Sequence, residues 1–106
     1  MGALFYGDGG TPISLPDRLL AHVKVVTATK LRRNESFTLS WRHGDEQPGR
    51  TTIWLQPAIP LRFVFESAES ETLDPELLTE LAHAASSSGG MALTLEHVRR
   101  ADVVAA

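Results

Sequence analysis

The segment SLPDRLLAHVKVVTATKLRRN (residues 14–34), followed almost at once by SFTLSWR (residues 36–42), decides the fold class, because the apolar period changes within it. In the first part, Leu19, Leu20, Val23, Val26, Thr27 and Leu31 fall within an arc of about 140° when wound at the helical repeat, so they form one core-facing stripe. Ser14-Leu15-Pro16-Asp17 supplies a side-chain cap, an early proline and an acid near the positive helix end. Lys30, Arg32 and Arg33 suit the carbonyl end, and Asn34 is the stop. In the second part, Phe37, Leu39 and Trp41 alternate with Thr38, Ser40 and Arg42, the pattern of a half-buried strand. A helix feeding directly into such a strand predicts an α+β domain.

Working toward the amino terminus, Ala3–Tyr6 and Thr11–Leu15 flank Gly7-Asp8-Gly9-Gly10 and read as a hairpin. Pro12 lacks an amide donor, so the second strand belongs at an edge or is brief. The glycines lack the Lys-Ser/Thr ending of a phosphate-binding loop, and turn geometry accounts for them. Working toward the carboxyl terminus, His43–Arg50 is a polar loop and Thr51–Gln56 returns as the partner of residues 36–42. Pro57-Ala58-Ile59-Pro60 bends the chain, and Leu61, Phe63 and Phe65 alternate with Arg62, Val64 and Glu66 in a further strand. Asp74-Pro75 opens a second helix whose Leu77, Leu78, Leu81, Ala82 and Ala85 share a face. Ser86–Gly90 ends it, and Met91, Leu93 and Leu95 mark a last strand. The expected order is β-β-α-β-β-β-α-β in two layers, with one mainly antiparallel sheet able to hold every strand. One domain over residues 1–96 is expected, with a flexible tail over 97–106.

The chain of 106 residues is 42% apolar and 22% charged, the ordinary mix for one small globular core. It has no cysteine, which removes disulfides, thiolate nucleophiles and Cys-ligated zinc, and favours a reducing cytoplasm. No run approaches the roughly 18 apolar residues of a membrane span, and the opening residues lack a basic n-region, so no membrane partner is expected. The net charge of −3 conceals a split. Residues 1–62 carry eight Lys or Arg against five acids, and residues 63–106 carry two against eight. Opposed halves either attract within the fold or between copies, or mark a basic binding face.

Catalytic signatures are missing. No Gly-x-Ser-x-Gly elbow occurs, and the Ser86–Ser88 run sits where a helix ends and needs caps. Glu80 and His83 have the i, i+3 spacing of carboxylate-bridged metal helices, but one pair on one helix is not a site. His43, Asp45 and Glu46 read as a hairpin tip more simply than as a cation loop. No catalytic residue, metal or cofactor is expected. The candidate nucleic-acid or partner-binding set is Arg18, His22, Lys24, Val25, Lys30, Arg32, Arg33, Arg42 and Arg62. Its cations could neutralise phosphate, and Trp41 or Trp54 could stack on a base if exposed, although the pI of 5.7 is low for such a role. Val25 stands out in the middle of a polar stripe, which implies contact with a loop or with a second copy.

Ala21-His22-Val23-Lys24-Val25-Val26, Lys30–Phe37 with Ser40-Trp41, Ile53–Phe63, the opening Phe5-Tyr6-Gly7 and Ser88-Gly89-Gly90 are stretches to be taken together. Together they resemble a family of short actinobacterial proteins often labelled "ATP-dependent DNA ligase". A ligase would attack ATP through the lysine of a Lys-x-Asp-Gly motif, yet Lys24 precedes Val25-Val26 and Lys30 precedes Leu31-Arg32. What the resemblance implies is an accessory piece associated with DNA ligation and no catalytic residue. The function expected from the sequence is therefore a non-catalytic interaction module, self-associating or docking on a cytoplasmic protein through Val25 and its basic neighbours. The alternative is a DNA-repair accessory that binds nucleic acid through the basic first helix.

Overall fold

The computed structural model describes residues 1–8, 10–43, 48–94 and 96–99. Its elements are β1 (Gly2–Tyr6), β2 (Ile13–Leu15), α1 (Asp17–Arg32), β3 (Phe37–Arg42), β4 (Arg50–Leu55), β5 (Leu61–Val64), α2 (Pro75–Ala85) and β6 (Met91–Leu93). The chain is the expected α+β domain in the expected order. Leu19, Leu20, Val23, Val26 and Thr27 of α1 are buried as their spacing requires, and they join Leu4, Leu39, Leu55, Leu77, Leu81 and Met91 in one core. Fully burying an aliphatic side chain of this kind is worth about 1.5–3 kcal/mol, so the stripe fixes α1. Asn34 ends the helix with φ of 60°, the left-handed stop that asparagine tolerates.

The strands form two three-stranded sheets, β2-β1-β5 and β4-β3-β6, where one mainly antiparallel sheet was expected to hold them all. The Pro57–Pro60 corner is the cause: it ends β4, and β5 then pairs antiparallel with β1, Leu4 opposite Phe63. Gly7 N–H donates to the Pro60 carbonyl at 2.9 Å and holds that corner. Three of the four strand pairs are antiparallel, as expected, and β6 is the exception, running parallel to β3 with Ser40 opposite Ala92. A parallel neighbour needs a long crossover, and β4, β5 and α2 lie within it. β2 is a three-residue edge strand, as Pro12 dictates.

The entry to α1 also differs from expectation. Pro16 is the N-cap and no side chain caps the helix. Asp17 instead accepts hydrogen bonds from the backbone N–H groups of Ser67 at 3.0 Å and Glu66 at 3.1 Å, tying α1 to the segment after β5. The Ser67 bond is the main cause that holds the Asp17 carboxyl below its ordinary value. A depressed carboxyl contributes stability that is complete above its unfolded value and lost as pH falls through the folded one. Urea midpoints are thus expected to drop below about pH 4, and Asp17→Asn should flatten that acid limb, because the neutral amide loses the charged form these bonds favour. An unchanged limb in the variant would remove Asp17 as its source.

At the other end, residues 96–99 form one helical turn where a loose segment from residue 97 was expected. Thr94 and His97 exchange bonds: Thr94 N–H donates to His97 Nδ1 at 3.1 Å, and His97 N–H to Thr94 Oγ1 at 3.2 Å. Val98 packs against the core, and His97 Nε2 lies 3.7 Å from Glu80 on α2. Residues 100–106, together with Leu95, lie outside the described residues.

Candidate functional site

The register of β3 and β4 assembles the most distinctive surface. Arg42 faces Arg50, Ser40 faces Thr52 and Thr38 faces Trp54. Phe37, Leu39 and Trp41 point the other way, toward the core, so these three cross-strand pairs form the outer face of the sheet. Trp54 is 58% exposed there, the largest exposed aromatic side chain. Ser40 and Thr52 share a 2.8 Å hydroxyl bond in the middle of the face. Trp54 is held from behind, where the Tyr6 hydroxyl donates to its carbonyl.

The electrostatics of the outer faces are lopsided. Outward positions on the six strands are Ala3, Phe5, Ser14, Thr38, Ser40, Arg42, Arg50, Thr52, Trp54, Arg62, Val64 and Ala92. Three are arginine and none is acidic, in a chain of net charge −3. Arg42 and Arg50 directly oppose each other and have no ion-pair partner among the described residues. Like charges directly opposite cost stability, by up to about 1 kcal/mol. On the other sheet, the Arg62 guanidinium lies over the Phe5 ring at 4.3 Å, beside exposed Val64.

The α1 members of the expected binding set are occupied differently. Arg18 Nε stands 3.5 Å from Glu71, and Lys30 Nζ stands 3.2 Å from Glu35 and 3.3 Å from the Ser86 hydroxyl. Lys24 lies over the Phe65 ring at 5.6 Å. Arg32 and Arg33 are exposed at the carboxyl end of the helix. Val25 is half-buried and lines a recess with Ala21, Lys24, Phe65 and Leu73, between α1 and the segment after β5. His22 is a correction: it is wholly buried and absent from the surface. Its Nδ1 donates to the Arg18 carbonyl at 2.6 Å and its Nε2 accepts the Asp74 N–H at 2.8 Å. The helix packs against α2 as well as against β1, and an apolar stripe reckoned for one core face does not show the second.

The structure thus places Arg42 and Arg62 on strands, apart from the α1 cations, and adds Arg50, which begins β4 where a loop was expected. The alternation of Arg50, Thr52 and Trp54 with Thr51, Ile53 and Leu55 was the available signal. Asp45 and Glu46 of the weighed cation loop lie outside the described residues. No cluster of three or more His, Asp or Glu suited to a metal occurs among the described residues, where Glu80 is instead placed beside His97. No helix among them is long and apolar enough to cross a membrane. A family model described as a domain of unknown function, DUF7882, matches residues 1–96. No curated protein and no solved structure matches.

Proposed function

The chain belongs to the DUF7882 family, and we propose that it is a non-catalytic interaction module that docks an anionic partner on the outer face of β3 and β4. The observation that carries this reading is the opposed Arg42–Arg50 pair beside exposed Trp54, on strand positions that hold no acid among the described residues. A like-charge pair lowers stability on its own, and an anion placed between the guanidinium groups converts the repulsion into two charge-assisted contacts. Retaining a costly arrangement at a binding surface is the usual trade between stability and function.

The same chemistry weighs against the flank of α1 that carries Arg18, Lys24, Val25 and Lys30, and leaves only Arg32 and Arg33 exposed at its carboxyl end. Arg18 and Lys30 already face carboxylates, Lys24 covers an aromatic ring and Val25 is half-buried. Self-association through the β3–β4 face is disfavoured by charge, because an isologous dimer would bring four arginines together.

Two measurements test the reading. Amide shifts in a titration with short polyglutamate are expected to move along residues 38–42 and 50–54; shifts confined to residues 18–33 would move the contact to α1 and refute the proposal. Arg50→Glu turns the opposed pair into an attractive one, so it should raise the unfolding free energy by about 0.5 kcal/mol at low salt while abolishing polyglutamate binding. A variant that is less stable than the parent and still binds would contradict both halves of that expectation.

A further inference from the structure

We infer that the anionic partner of the β3–β4 face is a single-stranded nucleic acid, a step that rests on the docking reading above. The reason is the combination of groups. An acidic peptide needs cations, but it has no use for a broad indole left 58% exposed on a flat strand face. A nucleic acid uses both, since bases stack on aromatic rings and phosphates pair with arginine. Along β4, Trp54 and Arg50 are four residues apart, about 13 Å at the rise of an extended strand, which spans a few nucleotides. Between them lie Ser40 and Thr52, small hydroxyl side chains that leave the floor low and offer hydrogen bonds to sugar or base edges. The duplex form is disfavoured because its bases are stacked on one another and unavailable to Trp54. Two arginines make a short electrostatic footprint, so binding should be weak and its salt dependence shallow.

The full chain is titrated into a fluorescein-labelled ten-residue oligothymidylate, with anisotropy reporting binding and intrinsic tryptophan emission reporting stacking. The expected result is saturable binding at low salt with quenched emission, and log K falling with log salt at a slope of about −1.4, the value for two phosphate contacts on a single strand. Trp54→Ala should weaken binding roughly tenfold and abolish the quench, leaving only the partly buried Trp41. Trp54 is exposed, so this variant should fold, and its urea midpoint checks that. Arg42→Ala with Arg50→Ala should remove binding. A hairpin duplex and polyglutamate of equal charge serve as competitors. If the duplex competes as well as the oligothymidylate, or Trp54→Ala binds normally, the inference falls. If polyglutamate binds and the oligothymidylate does not, the inference falls while the docking reading stands. If neither binds at low salt, both fall.

Discussion

Gly90→Ala is expected to lower the unfolding free energy by about 3 kcal/mol, read as a fall in urea midpoint at unchanged slope. Gly90 opens the approach to β6 with φ of 73°, a left-handed conformation that costs an L-residue about 1–2 kcal/mol. A Cβ built there would lie 1.9 Å from Thr38 Oγ1 and 2.7 Å from the Thr38 carbonyl oxygen. The hydroxyl can rotate away, but the carbonyl belongs to β3 and cannot. The parallel pairing of β3 with β6 therefore requires a residue without a side chain at this point, and Met91 and Leu93 reach the core only when that pairing forms. Two controls separate the causes. Gly89→Ala meets nothing closer than 4.0 Å and should change stability by less than about 0.5 kcal/mol. Adding Thr38→Ala to Gly90→Ala should restore less than half of the loss, because backbone strain and the carbonyl contact remain. Full restoration would place the whole effect in the hydroxyl.

Gly90 also marks where the sequence was readable and where it was not. Helix spans and their core faces followed from local chemistry, namely the spacing of Leu19, Leu20, Val23 and Val26, the Asp74-Pro75 entry and the stop at Asn34. Asp74 does cap α2, its carboxylate accepting the Glu76 N–H at 3.0 Å. Sheet membership was not readable, because pairing depends on contacts between residues distant in sequence. Nothing near Leu61–Val64 says that β5 prefers β1 to β4, and nothing near Met91–Leu93 says that β6 will lie parallel to β3.

The candidate site divides along the same line. Arg42 and Trp54 were identifiable as residues of interest by type alone. Their convergence with Arg50 is a consequence of hairpin register, which a one-residue slip would have reversed by turning Trp54 inward. The surroundings of the α1 cations were unreadable for a related reason. Glu71 reaches Arg18 across more than fifty residues of sequence, and Phe65 reaches Lys24 across about forty. The polarised halves seen in the sequence meet in part at this boundary, where the acidic segment after β5 covers one flank of the basic helix.

His22 is the second position where a single change should have a large effect. Its ring is wholly buried between α1 and the start of α2, with both nitrogens engaged. His22→Leu keeps much of the apolar volume but strands the Asp74 N–H, and a buried unsatisfied donor costs about 1–3 kcal/mol. His22→Ala adds a cavity, so its total loss should reach about 4 kcal/mol in urea unfolding. Amide exchange distinguishes this bond from general packing: in His22→Leu, the Asp74 amide should lose protection while the amides of Leu39 and Leu55 keep theirs after correction for the global change. Uniform loss across all three would make His22 a packing residue only. The geometry also fixes the tautomer, since a ring that accepts at Nε2 and donates at Nδ1 is neutral with its proton on Nδ1. Nitrogen-15 shifts of the imidazole are expected to show that form. A proton on Nε2 would point at the Asp74 N–H, and finding it there would overturn the junction between the two helices as described.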